Sequence, residues 1–232
     1  MKKFAVIAFS KEPKPGTVKT RLSPQIPPEG AAYIYEALLW DTIDILIALK
    51  EAEKYIFFTP DDSSYFLDLE RSGFRVIPQT SGSLGDRMAK AISLIIEETG
   101  LPAMITGTDC PLLSPALIRK CASLFETHDA VLGPSEDGGY YLIGLKTFTP
   151  RPFENIPWST DRVFSTTLEA LEKNGLKVAT GEMLFDVDRP EDIIKYARLL
   201  EEKKLPDEFK RRRFAKAALK LSPHLLHLLR GR

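Results

Sequence analysis

The feature that most constrains the fold is the regular exchange of short apolar runs with longer helical patterns. "FAVIAF" (4–9), "KYIFFT" (54–59), "FRVIP" (74–78), "PAMIT" (102–106), "DAVLG" (129–133) and "YYLIGL" (140–145) each read as a buried strand. Between and after them, helices are expected at 28–50, 84–98, from Ser114 to about Phe125, from Ser159 or Thr160 to Asn174, and from Pro190 to about Lys203. Asp61 or Asp62 is placed to cap a further helix. Short segments "LKVAT" and "MLFDV" lie between the last two main helices. Strands alternating with helices of this length predict an α/β fold: a single-domain, mostly parallel central sheet with helices on both faces. The turn at 135–139 then joins an antiparallel excursion.

A chain of 232 residues with 44% hydrophobic composition can bury such a core. Lys plus Arg and Asp plus Glu each number 32, so the formal charge is zero and no specific nucleic-acid partner is expected. The charge is unevenly spread. After Glu208 there is no acid, while Lys210, Arg211, Arg212, Arg213, Lys216, Lys220, Arg230 and Arg232 are all cationic. Residues 1–203 therefore read as the main domain and 204–232 as a basic amphipathic C-terminal appendage. In that tail, helical spacing runs to Pro223 and is followed by Leu225, Leu226, Leu228 and Leu229. Residues 209–232 suit self-association or peripheral membrane contact, packing being favoured because the final apolar run is short. No run approaches the length of a membrane span, the opening apolar run lacks a cleavage pattern, and two cysteines are too few for a disulfide framework; a cytoplasmic location is expected.

In an open sheet of this kind, ligands lie at the carboxyl ends of the strands. The polar clusters fall there. "SKEPKPGTVKTRL" (10–22) gathers Lys11, Lys14, Lys19 and Arg21 around Gly16, a loop suited to phosphate. It lacks the spacing of a P-loop. "TSGSLGDRM" (80–88) puts Gly82, Gly85 and Arg87 at a helix start, where free N–H groups can receive an anion or cap the helix only. "GTDCPLL" presents Asp109 after an apolar strand, and "LFDVDRPED" supplies Asp186 and Asp188, hard oxygen ligands suited to Mg2+ or Mn2+. Asp188 is the favoured partner of Asp109, and Glu191 and Asp192 are assigned to the first turn after Pro190. In "GPSEDGGYYLIGL", Gly138 and Gly139 permit close backbone approach, Glu136 and Asp137 can accept hydrogen bonds, and Tyr140 or Tyr141 can form an apolar wall; a tight hairpin would need the glycines as well.

With "KEPKPGTVKTRL", "GSLGDRM", "GTDCPLLS", "GPSEDGGYYLIGL", "WSTDRV" and "FDVDRPED" assembled, the chain resembles the nucleotide-diphospho-sugar transferase superfamily, the glycosyltransferase type A fold. Within it, the chain is most similar to the glycosyltransferase-like family of unknown function 2064, from near residue 4 to near residue 200. The resemblance implies that Lys11, Lys19 and Arg21 handle a triphosphate, that Gly85 lies near the nucleotide, and that Asp109 and Asp188 hold the metal. It also implies that Glu136, Asp137, Gly138, Gly139 and Tyr140 line the acceptor side, with Trp158 and Thr160 at the pocket rim. Two departures stand out: the first loop has Pro13, Pro15 and a single glycine, and Thr108-Asp109-Cys110 offers one carboxylate where an Asp-x-Asp pair is common.

The expected activity is metal-dependent nucleotidyl transfer from a nucleoside triphosphate to a small, phosphorylated acceptor, with release of pyrophosphate. Lys19, Arg21, Asp109 and Asp188 would be its central groups. The alternative is a glycosyltransferase using a nucleoside-diphosphate sugar, in which Asp137 activates an acceptor hydroxyl. A second alternative is a noncatalytic nucleotide-binding protein.

Overall fold

A computed structural model describes residues 3–230 except Pro24, with the Arg230 side chain also outside the description. Arg232 of the basic tail lies beyond the described residues. Among the described residues seven strands form one sheet: β1 (Phe4–Lys11), β2 (Ala52–Thr59), β3 (Phe74–Pro78), β4 (Ala103–Thr106), β5 (Ala130–Pro134), β6 (Tyr140–Leu145) and β7 (Val178–Thr180). Their order is β3-β2-β1-β4-β6-β5-β7. All neighbours are parallel except those of β6, which runs against both β4 and β5. The expected antiparallel excursion is therefore β6.

The helices are α1 (Pro28–Ile47), α2 (Leu84–Thr99), α3 (Pro115–Ser123), α4 (Val163–Lys173), α5 (Pro190–Glu201), α6 (Asp207–Lys210) and α7 (Arg213–Arg230). Three differ from the sequence reading. No helix starts at Asp61 or Asp62; the Ser63 hydroxyl instead accepts from the Tyr65 amide, a local bond that competes with helix, and only a 3-10 turn at Leu67–Ser72 follows. The fourth helix starts at Val163 rather than Ser159 or Thr160. Ser159 is left-handed at φ 65°, and the Thr160 hydroxyl is engaged with Pro157 O and the Arg162 amide. The last helix runs through Pro223, although an interior proline costs about 3 kcal/mol. Its apolar stripe, Phe214, Ala218 and Leu225, is fully buried, and that packing outweighs the local cost.

Compactness divides the chain into two units. One contains the whole sheet and comprises residues up to Glu12, Ile45–Gly107 and Leu113–Leu184. Its core follows the period of two expected of strands: Ala5 and Ile7, Tyr55 and Phe57, Ala103 and Ile105, Ala130 and Leu132, and Ile143 and Leu145 all point to one face. There they meet Met88, Ala91, Ile92 and Ile95 of α2 and Leu171 of α4.

The other unit comprises Pro13–Asp44, Thr108–Leu112 and Phe185–Arg232. Its core joins Leu22, Ile34 and Leu38 to Ile193, Tyr196 and Leu200 of α5 and to Phe209, Phe214 and Leu225 of the tail. The tail is fastened by charge as well as by packing. Asp41, buried on α1, accepts from the Arg213 and Phe214 amides at 2.9 Å each and so caps α7. Phe214, Ala215, Ala218 and Leu225 of the tail are thus covered within this unit, while Leu219, Leu228, Lys216 and Lys220 face solvent. Among the described residues no helix is long and apolar enough to cross a membrane.

Candidate functional site

The loop after β1 turns at Gly16, where φ is +79°, and then sinks two apolar anchors, Val18 and Leu22. Between them Lys19 adopts a left-handed backbone (φ 48°, ψ 39°), which costs an L-residue about 1–2 kcal/mol. That conformation goes with a buried side chain: Lys19 is only 5% exposed. Its ammonium donates to Asp109 Oδ2 at 3.1 Å and to Asp188 Oδ1 at 2.8 Å, across sequence separations of 90 and 169 residues. Arg21, exposed on the same loop, donates to the other oxygen of that carboxylate, Asp188 Oδ2, at 3.1 Å.

Each acid is positioned by its own local structure. Asp109 lies in the short segment Thr108–Leu112, held by three bonds: Val187 N to Asp109 O, the Thr108 hydroxyl to Tyr35 Oη at 3.0 Å, and the Arg212 guanidinium to Pro111 O at 2.6 Å. Asp188 immediately precedes α5, and Asp192 in that helix accepts from the Asp188 and Arg189 amides at 2.9 and 2.7 Å. The assignment of Asp192 to the first turn after Pro190 is what the structure shows. Arg212, in contrast, has no individual signal in the sequence, where it is one cation of the basic amphipathic tail. Its side chain also covers the Phe209 ring, 4.0 Å from the centroid.

The electrostatics follow from burial and charge. Burial alone would lower the Lys19 ammonium's pKa, but Asp109 and Asp188 raise it above the ordinary lysine value. Burial pushes the Asp188 carboxyl up, but Lys19 and Arg21 more than offset this and hold it below the ordinary aspartate value. Two carboxylates converging on one cation form a hard-oxygen donor set. That set suits Mg2+, which is commonly held by one or two carboxylates and completed by waters and phosphate oxygens. Among the described residues, no group of three or more His, Cys, Asp and Glu side chains gathers as a metal cage.

The second expected region belongs to the sheet-bearing unit. Asp137 Oδ1 accepts from the Ser135 hydroxyl at 2.5 Å and the Gly139 amide at 2.9 Å, closing the turn between β5 and β6. Gly138, at φ +86°, lies so close to the Asp161 backbone that a Cβ would fall 2.1 Å from its carbonyl oxygen. Gly138 O in return accepts from Phe164 N, satisfying a first-turn donor of α4. Glu136 N bonds Leu184 O on the other flank. The glycine is required by protein packing, and the turn is fastened on both sides. Tyr140 is turned inward: its ring meets Trp158 edge-on at 6.4 Å and burial raises the pKa of its hydroxyl.

The loop before α2 has a similar character. Ser83 and Asp86 form a reciprocal capping box, and Gly85 is covered, since a Cβ there would lie 2.6 Å from Phe153 O and 2.9 Å from the Trp158 ring. Arg87 donates to Gln79 Oε1 at 2.8 Å, and Gln79 Nε2 donates to Ser10 O and Phe57 O, bracing the ends of β1 and β2. Gln79 carried no sequence signal. Ser83, Asp86, Phe153, Asn155, Ile156 and Trp158 border an open depression of about 460 Å³. Thr160 is exposed in the loop before α4, and Lys11 ends β1 beside Thr59.

Residues 42–160, just over half of the chain, match the family described as "Uncharacterized protein conserved in bacteria (DUF2064)". The chain belongs to this family. That match includes Asp109 and the 136–140 turn. No curated protein sequence matches the chain. Among solved structures, the chain is similar to a protein of Desulfovibrio desulfuricans G20 provisionally named a nucleotide-diphospho-sugar transferase. It is 27% identical, with a TM-score of 0.84 and 98% of each chain covered. The 4-diphosphocytidyl-2C-methyl-D-erythritol synthase of Anaerococcus prevotii DSM 20548 is 16% identical, with a TM-score of 0.56 over 86% of this chain and 96% of that one. A cytidylyltransferase of Leptospira borgpetersenii serovar Hardjo-bovis is 11% identical, with a TM-score of 0.50 over 97% of both chains. The latter two likenesses concern the fold. Together with the first they identify the DUF2064 chain's fold as the nucleotide-diphospho-sugar transferase type.

Proposed function

We propose that this protein is a metal-dependent nucleotidyltransferase that joins a nucleoside monophosphate from a nucleoside triphosphate to a small, phosphorylated acceptor. The observation that carries the reading is the convergence of Lys19, Arg21, Asp109 and Asp188 on one spot. Cations and hard carboxylates held together there are the groups that phosphoryl chemistry needs, because positioning and charge stabilisation supply most of its catalysis. The named activities of the cytidylyl-transferring structural neighbours are in keeping with it.

In the reaction an acceptor oxygen attacks the α-phosphorus in line, a new P–O bond forms, and the bond to the β-phosphate breaks to release pyrophosphate. Lys19 and Arg21 neutralise the charge that builds on the departing phosphates. Mg2+ or Mn2+ held by Asp109 and Asp188 would supply further charge stabilisation at the phosphate oxygens. An acceptor that is already a phosphate dianion needs no strong general base. Residues 136–139, Trp158 and Thr160 are proposed to serve the acceptor, and Lys11, Gly16 and Arg87 the nucleotide; Gly85, covered by Phe153 and Trp158, and the inward-turned Tyr140 serve packing instead.

Sugar transfer from a nucleoside-diphosphate sugar is the second reading, favoured by the provisional name of the Desulfovibrio structure. The engagement of Asp137 Oδ1 in its turn weighs against that residue as the base. The test is mass spectrometry of products from pooled phosphorylated metabolites and alcohols, supplied with each nucleoside triphosphate or a panel of sugar nucleotides plus Mg2+ or Mn2+. A nucleotidylated product with pyrophosphate, lost in Asp109→Asn, is expected; a glycosylated product formed only from sugar nucleotides would reverse the assignment.

A further inference from the structure

The Lys19 ammonium lies at the point on which the Asp109 and Asp188 carboxylates converge, and Arg21 takes the remaining oxygen of Asp188. Two acids, one ammonium and one guanidinium make this cluster formally neutral. A divalent cation added to it alone would leave two uncompensated positive charges beside a lysine that is almost completely buried. Linked phosphates arriving with that cation would compensate them, and the same phosphates offer Lys19 and Arg21 new anionic partners.

We propose that Lys19 is the resident counter-ion of the Asp109–Asp188 pair and that a divalent metal and a polyphosphate bind only together, exchanging Lys19 and Arg21 from carboxylate to phosphate. The inference rests on the proposed function only in requiring a ligand with linked phosphates; it is indifferent to which group is transferred. Its physical basis is that attraction between unlike charges, and repulsion between like ones, grows as water is excluded, so Lys19 and a metal ion oppose each other most strongly where Lys19 is buried. Each ligand then changes the affinity of the other by the same factor. The left-handed Lys19 backbone keeps the side chain on the acids, and the exposed Arg21 is the cation that can swing first.

The experiment is a titration of the full chain with Mn2+, followed by the electron paramagnetic resonance signal of free Mn2+, with and without inorganic tripolyphosphate and with no acceptor present. Because Mn2+ also binds tripolyphosphate in solution, the two constants are separated by a parallel titration lacking protein. Wild type is expected to bind Mn2+ at least about tenfold more tightly when tripolyphosphate is present, within the usual span of coupled binding. Lys19→Met is expected to bind Mn2+ alone more tightly than wild type and to lose most of the gain from tripolyphosphate.

Should Lys19→Met fail to fold, Arg21→Gln, at an exposed position, tests the same exchange through Asp188 and should tighten lone Mn2+ binding by a smaller factor. Equal Mn2+ affinity of wild type with and without tripolyphosphate overturns the proposal. So does unchanged or weaker lone Mn2+ binding in the variants. Since no turnover is read, a wrong transferred group in the product assay leaves this result standing, and a failed exchange leaves the product assay intact.

Discussion

The Lys19 cluster and the Asp137–Gly138 turn are both rich in polar groups, yet they are built in opposite ways. In the cluster, the cations and acids come from three separate segments, each acid 90 or more residues from Lys19, and each charge is satisfied by a group the local chain cannot supply. In the turn, Asp137 is satisfied by Ser135 and Gly139, its neighbours two residues away on either side. A locally closed turn needs its polar residues for its own shape. A cluster assembled from distant segments holds charge that its backbone does not use, and that charge is available to a ligand. The contrast supports the proposed role of Lys19, Arg21, Asp109 and Asp188, and the glycines of the turn are first of all packing residues.

The comparison can be broken most sharply at Asp188. Asp188→Asn keeps the shape but removes the charge that both cations share, and pyrophosphate release is expected to fall by about 100- to 1,000-fold, the scale of losing one preorganised electrostatic partner. Retention of full turnover would take the cluster out of the chemistry.

Gly138→Ala attacks the other region. A methyl group 2.1 Å from the Asp161 carbonyl, on a backbone at positive φ, should cost about 2 kcal/mol of unfolding free energy in urea. If Gly138 served ligand approach alone, stability would be unchanged and only kinetics would suffer.

The smallest effect is expected at the exposed Asp86, whose carboxyl is held below its ordinary pKa by hydrogen bonds from the Ser83 hydroxyl and amide. A lowered folded-state value means that its stabilisation is present above the ordinary aspartate pKa of 3.8 and is lost as pH falls through the folded value. Asp86→Asn should therefore lower Tm slightly at neutral pH, with the difference from wild type vanishing in acid. A difference that persists in acid would mean that the capping box acts through shape and not charge.

The sheet was largely legible because its strands are apolar runs of the right length bounded by turn residues, and buried strands need little else. Helix ends were less so. Val163, not Thr160, begins α4 because Gly138 O supplies the first-turn acceptor, and Pro223 lies inside α7 because buried Phe214, Ala218 and Leu225 hold the helix together. Both outcomes depend on residues far from the boundary they set.

The sequence alone determined the alternation of strands and helices, the antiparallel β6, and the presence of cations and carboxylates in loops after apolar runs, since these follow from local composition and period. Only the tertiary structure decided that Lys19 stands between Asp109 and Asp188, that Arg212 of the basic tail braces Pro111, and that Asp41 caps α7. Each of those pairings joins chain segments with no local pattern in common. The energy that selects them, burial of charge with its partner, exists only once the chain has folded.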